Sequence, residues 1–138
     1  MKLVEAVRLG SLVVKPKAGQ YLIADEGCVI GMAMKAMSVN RVYSFPKDII
    51  NLLCKFPFLQ KLVKLPCNCT AQDFGNYIAQ DFDFLNCITH IFDHHVALPK
   101  FKDCWTFDQL CDWIEKTENS LCEEEQQTEM QHTEMTPV

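Results

Sequence analysis

The sequence predicts a mainly α-helical, single-domain protein, and three observations lead to this prediction. Its 138 residues are the size of one domain, large enough to bury about two-thirds of the unfolded surface. Apolar side chains recur every three or four residues along most of the chain, which is the spacing of helices packed on a core. Only two short stretches near the N-terminus, 12–14 and 21–23, could pair as strands.

Two helices are predicted close to the N-terminus. Residues 3–9 place Leu3, Val4 and Val7 on one side, and Gly10 follows as a helix stop. Residues 28–37 combine small residues with valine, isoleucine and methionine, a composition that suits close contact with neighbouring helices. We therefore expect the second helix to be the most buried one.

Proline positions divide the middle of the chain. Pro46 suits the first turn of a helix, because the donor that it lacks is not needed there. Pro57 ends this helix, and residues 58–63 are expected to add one or two helical turns. Two further helices are expected from residue 70 onward, with a break near 81–83. The apolar stripe predicted after Pro46 consists of Ile49, Ile50, Leu53 and Cys54.

The last helix has the clearest start. Thr106 and Gln109 have the spacing of a capping box, in which each side chain bonds the backbone N–H of the other residue. This start predicts a helix whose polar residues face solvent. Its predicted inward stripe consists of Phe107, Leu110, Cys111, Ile114 and Leu121.

Charge is distributed unevenly between a helical domain, 1–122, and a tail, 123–138. The tail contains five glutamates and no lysine, arginine or aromatic residue, so it cannot repay the entropy of ordering, and we expect a disordered acidic tail. The domain has 13 acidic and 13 basic residues and offers no basic surface for a phosphate backbone. Apolar runs are far shorter than the ~18 residues of a membrane span. We therefore expect neither nucleic-acid nor membrane binding.

The chain contains 8 cysteines, an unusually high count for its length. Glu5 and Arg8 interrupt the apolar region that a secretory signal would need, so we expect no export by that route. Cys87 and Cys111 lie at core spacing, where a thiol acts as a small apolar group. We expect reduced, mostly buried thiols rather than a disulfide framework.

Cysteine and histidine positions leave a metal site and a thiol enzyme open as alternatives. His90 and His94 have the spacing of two metal ligands on a helix, but the glutamate of a metalloprotease motif is absent. Cys67 and Cys69 could bind zinc with His94, His95 or Cys104, although their one-residue gap is shorter than usual. No phosphate-binding or nucleophile motif is present. The expected outcome is a protein without cofactor, metal or catalytic residues.

Aromatic rings beside charges indicate a protein-binding role. In the predicted break between helices, rings alternate with acids, and such rings can fill partner pockets while the charges steer docking. A homodimer is a further expectation, because two-fold pairing is the commonest way to cover apolar surface. The predicted partner-binding residues are Tyr77, Asp81, Phe82 and Asp83.

Two resemblances extend this interpretation. The stretches 5–11, 28–33, 88–90 and 105–115 resemble a small helical domain of many uncharacterised bacterial proteins, which implies a fold but no activity. The glutamate block at 123–125, followed by further glutamates, resembles the export signal of effectors of the Dot/Icm type IV system of Legionella. As a whole, the small cysteine-rich chain resembles the Legionella metaeffectors, which inhibit other effectors.

The second resemblance implies a location and a partner. The protein would be secreted into the host cytoplasm and would bind MavC and MvcA, papain-like enzymes that deamidate ubiquitin; MavC also crosslinks ubiquitin to an E2 enzyme. Inhibition would be steric, without a catalytic residue of its own. The alternative is a zinc-binding adaptor, or a small interaction module with another partner.

Overall fold

The computed structural model describes residues 1–37, 47–67, 69, 81–97 and 104–134, and it confirms a mainly helical fold. The described part contains five α-helices and two small two-stranded sheets, each an open pair of short strands. The helices are α1 (Leu3–Gly10), α2 (Val29–Ala36), α3 (Lys47–Lys55), α4 (Phe84–Ile91) and α5 (Phe107–Glu134). The strands are β1 (Lys15–Pro16), β2 (Glu26–Gly27), β3 (Leu62–Lys64) and β4 (Asp81–Asp83).

Helices α1 and α2 pack against each other in the centre of the core. As predicted, α1 buries one apolar side and α2 is buried along most of its length. Gly10 lies where a Cβ atom would collide with the backbone of Met32, so glycine is required for this close approach. The sequence identified Gly10 as a helix stop, but its role in packing appears only in the fold.

The first small sheet lies later in the chain than the predicted pairing of 12–14 with 21–23. Strands β1 and β2 are parallel, and the backbone N–H groups of Lys15 and Lys17 each donate a 2.8 Å hydrogen bond across the pair. Pro16 lies between these two donors, at a position where the N–H that it lacks is not needed. The observed strands are therefore displaced by a few residues from the predicted ones. Strand β1 can include Pro16 because no backbone donor is needed at that position.

Two predictions for the middle of the chain are corrected. The expected helical turns over 58–63 end early: a short 3₁₀ helix covers Pro57–Gln60, and Leu62–Lys64 forms β3, antiparallel to β4. In α3, Leu52 is buried, whereas Ile50 and Cys54 of the predicted stripe are exposed. The buried face of α3 is therefore rotated from the predicted one. The helix has more apolar residues than one face can hold, and its packing against the core decides which of them are buried.

Helix α5 begins as predicted and continues to Glu134. The backbone N–H of Thr106 donates to the Gln109 side chain at 2.9 Å, and that of Gln109 donates to the Thr106 hydroxyl at 3.1 Å, which confirms the capping box. The helical backbone extends to Glu134, and the flexibility expected of the tail at 123–138 stays a prediction. A packed N-terminal half removes the cost of helix nucleation, and glutamate and glutamine propagate a helix well.

A buried carboxylate joins α5 to the start of α1. The Glu118 side chain, 3% exposed, accepts hydrogen bonds from the backbone N–H groups of Leu3 at 2.6 Å and Val4 at 3.3 Å. The first amides of a helix lack partners within the helix, and a negative charge is favourable beside them. Nothing in the sequence pattern singled out Glu118.

Candidate metal centre

The histidine-bearing segment is a helix that changes its winding. The Asp83 side chain caps α4 by accepting a hydrogen bond from the Asn86 N–H at 2.8 Å. After α4 the chain forms a π-helical turn, Phe92–Ala97. Residues five apart diverge by about 140° on an α-helix, and the wider turn reduces this divergence. His90 and His95 can therefore point to one place.

Two cysteines approach these histidines from a loop that follows β3. Cys67 and Cys69 are both half-buried, and the preceding residue Pro66 restricts the backbone of this loop. Strand β3 pairs with β4, which leads directly into α4. The β3–β4 pair thus connects the segment that carries the thiols to the segment that carries the imidazoles.

Four potential ligand atoms converge at this place, and we call Cys67, Cys69, His90 and His95 the Cys2His2 cluster. The Cys67 Sγ atom lies 3.4 Å from His90 Nε2, and Cys69 Sγ lies 3.2 Å from His95 Nε2. The two Nε2 atoms are 3.3 Å apart, and all four ligand atoms lie within 4.8 Å of one another. Each of the four residues thus contributes one potential ligand atom to the cluster.

These separations agree with the edges of a zinc tetrahedron. Zinc bonds of about 2.3 Å to sulfur and about 2.05 Å to nitrogen give edges of about 3.6 Å between sulfur and nitrogen and about 3.4 Å between two nitrogens. The three distances of 3.4, 3.2 and 3.3 Å in the cluster are close to these lengths. Three of the six donor–donor distances are therefore close to the edges of a zinc tetrahedron, and the other three do not exceed 4.8 Å.

Burial of the cluster also suits a metal ion. His90 is 6% exposed and His95 is 1% exposed, so the imidazole side of the cluster belongs to the core. Two thiolates balance the charge of Zn²⁺, and two neutral imidazoles add none, so the loaded site carries no net charge. A neutral assembly avoids the large cost of burying an isolated ion.

The cluster differs from the sequence-based expectations in two ways. No metal site was expected, yet Cys67 and Cys69 meet His95, which was one of the alternatives weighed. The partner of His90 is His95 and not His94 as its spacing suggested, because the π-helical turn changes the register. The His94 ring lies against that of His90, with centroids 5.1 Å apart. The sequence signal that could have found the pair is the His-x₄-His spacing, which falls within the usual range for zinc ligands.

A catalytic cysteine would use similar contacts, because a thiol and an imidazole at hydrogen-bond distance can form a nucleophile and its base. Here two such pairs converge on each other. One cavity of about 250 Å³ lies elsewhere, and none of the four cluster residues is among its lining. This lining consists of Gly19, Gln20, Tyr21, Cys28, Thr89 and Asp93. The convergence of both pairs on one place is the arrangement of a metal site with four ligands.

Five thiols outside the cluster are either buried in the core or exposed at the surface. Burial raises the pKa of Cys28 and of Cys111 to about 11, so both thiols stay protonated at neutral pH and are poor nucleophiles. Cys87 is also buried, as predicted from its spacing, whereas Cys54 and Cys104 are exposed. All 8 cysteines lie in the described part of the chain, and none forms a disulfide there.

Three of the four predicted partner-binding residues lie together in one strand. Asp81, Phe82 and Asp83 form β4, and Asp83 also has a structural role as the cap of α4. Phe82 is half-buried. Tyr77 lies outside the described residues. The partner-binding role of these four positions stays a prediction.

Comparisons with known proteins found no matching family model, no matching curated protein and no matching solved structure. The class of protein that the fold and the cluster define is therefore a small helical protein with a candidate Cys2His2 metal centre. The resemblance to Legionella metaeffectors stays a prediction. Among the described helices, none combines the length and the apolar character needed to cross a membrane.

Proposed function

We propose that this chain is a non-enzymatic, zinc-binding adaptor in which Cys67, Cys69, His90 and His95 hold one structural Zn²⁺. The observation that carries the proposal is the convergence of their four ligand atoms within 4.8 Å. Two thiolates and two imidazoles form a preferred ligand set for zinc. Four protein ligands complete a tetrahedron, so no position remains for a substrate or a reactive water.

A structural metal would stabilise this fold by closing a long loop. The contacts join residues separated by 23 positions between Cys67 and His90, and by 26 between Cys69 and His95. Zinc cannot bind all four ligands in the unfolded chain without ordering it, so its binding free energy adds to the folding free energy. The ion would hold the cysteine loop against α4 and the π-helical turn.

Metal analysis of the full chain tests this proposal. Protein purified without added metal is expected to contain about one zinc per chain, because the closed site binds zinc tightly. Cobalt(II) taken up in place of zinc should give the visible absorption of a tetrahedral site with thiolate ligands. Both signals should be lost when Cys67→Ser and Cys69→Ser are combined.

The matched control replaces two thiols outside the cluster. Cys54 and Cys104 are exposed, so Cys54→Ser combined with Cys104→Ser should retain the full metal content and the cobalt spectrum. Wild-type protein that takes up no zinc and no cobalt under reducing conditions would contradict the proposal.

An inhibitory role towards MavC and MvcA, implied by the resemblance to metaeffectors, is a second proposal. Exposed apolar side chains support a protein-binding role: Leu9, Leu12 and Val13, at and after the end of α1, are 50%, 79% and 60% exposed. Apolar side chains that lie together on a surface are common in contacts between proteins. Binding would cover the ubiquitin or E2 docking surface of the enzyme.

Adding the purified chain to MavC and ubiquitin tests the inhibitory role. Deamidation and crosslinking should both slow as the chain is added, because a bound protein would exclude the substrates. Phe82→Ala should weaken the inhibition if β4 belongs to the interface. Unchanged rates at saturating protein would remove the second proposal, and they would leave zinc binding unaffected.

A further inference from the structure

The Cys2His2 cluster has a buried side and a more accessible side. Its imidazoles are buried in the core, whereas Cys67 and Cys69 are half-buried in the loop after β3. Oxidation of sulfur depends on thiolate character and on access. Zinc binding would supply the thiolate character, since a coordinated thiol is deprotonated. The more accessible side of the cluster therefore consists of its two oxidisable residues.

The two sulfur atoms can also reach each other. They lie within 4.8 Å, and only one residue separates Cys67 from Cys69 along the chain. Residues two apart in a bent chain have Cα atoms about 5–7 Å apart, which overlaps the range found in disulfides. A disulfide between them needs only a local movement of the loop.

We infer that Cys67 and Cys69 form a peroxide-sensitive modification site, at which oxidation to a disulfide releases the zinc ion. The inference rests on the proposed zinc site and names how it would be regulated. One thiolate attacks a peroxide oxygen, the O–O bond breaks, and the departing oxygen leaves as water after taking up a proton. The second thiolate then attacks the resulting sulfenic sulfur, and the hydroxyl leaves as a second water with another proton.

The electrons and the charges balance in this sequence. Two thiolates lose two electrons in total, hydrogen peroxide accepts them, and two protons are consumed as two waters form. The disulfide sulfurs carry no negative charge, so the ion keeps only His90 and His95 as strong ligands. Two imidazoles alone bind zinc far more weakly than the four-ligand set, and Zn²⁺ therefore leaves.

Peroxide treatment of the zinc-loaded full chain tests the inference. The zinc content is measured first, excess metal is removed, and hydrogen peroxide is added with a chromogenic zinc indicator. Remaining thiols are then blocked with N-ethylmaleimide, and the digested peptides are mapped by mass spectrometry. The control is the variant with both Cys54→Ser and Cys104→Ser, which lacks the exposed thiols outside the cluster.

The expected result is release of the whole bound zinc from both proteins, with a disulfide that joins Cys67 to Cys69. Dithiothreitol followed by added zinc should restore the original metal content. Zinc retained while Cys54 and Cys104 become oxidised would overturn the inference, as would release accompanied only by sulfinic acids or by bridges to other cysteines. A chain that holds no zinc before peroxide is added would overturn the proposed function itself, which separates the two failures.

Discussion

Replacing His95 by alanine should lower the zinc affinity of the chain roughly a hundredfold or more, because one of four ligands is lost. Structural zinc sites have apparent binding free energies of about 10–16 kcal/mol, which is roughly 3 kcal/mol for each of four ligands. Since about 1.4 kcal/mol corresponds to a tenfold change in affinity, losing one ligand costs roughly a hundredfold. Competition with a chelator of known affinity measures the change. Thermal unfolding in excess zinc should show a matching loss of stabilisation by the metal.

His94→Ala is the matched control for this experiment. His94 lies beside His95 in the π-helical turn after α4, and its ring contacts that of His90. Its nitrogen atoms are not part of the Cys2His2 cluster. We expect this variant to change zinc affinity by less than about tenfold, the low end of the effect of groups that orient metal ligands. Equal losses in both variants, or a larger loss in His94→Ala, would contradict the ligand assignment.

The second large effect concerns Glu118. Glu118→Ala should lower the free energy of unfolding by about 3 kcal/mol, because it leaves the buried N–H groups of Leu3 and Val4 without their acceptor. Each unsatisfied buried group costs about 1–3 kcal/mol. Glu118→Gln should cost less, since an amide retains one oxygen acceptor. Urea denaturation followed by circular dichroism measures these differences.

Glu115→Ala controls for the loss of a carboxylate from α5. Glu115 is exposed on the same helix, one turn before Glu118, so we expect a change of no more than about 0.5 kcal/mol. If both alanine variants unfolded at the same urea concentration as the wild type, the buried carboxylate would have no role in joining α5 to α1.

The helical elements were predictable because their signals are local. The stripe of α1, the apolar composition of α2 and the Thr106–Gln109 capping box each lie within about ten residues, and each matches the structure. Short strands were harder to predict. Strand β3 pairs with a partner far along the chain, and two or three residues give too little periodicity to separate a strand from a helical turn.

The metal centre illustrates the limit of local signals. Sequence spacing identified Cys67 and Cys69 as potential ligands and named His95 among their candidate partners. Spacing on an ideal helix favoured His90 with His94, but the π-helical turn brings His90 and His95 together. A register change of this kind depends on how Phe92 and its neighbours pack in the core, and no pattern of residue types encodes it directly.

The sequence by itself determined the helical class, the main apolar stripes and the residue types available for chemistry, since these follow from composition and short-range periodicity. The tertiary structure decided which thiols meet which imidazoles and which carboxylate lies beneath the start of α1. Such contacts join residues from 23 to 115 positions apart, where the connectivity of the chain does not fix the distance and the packing of the core sets it.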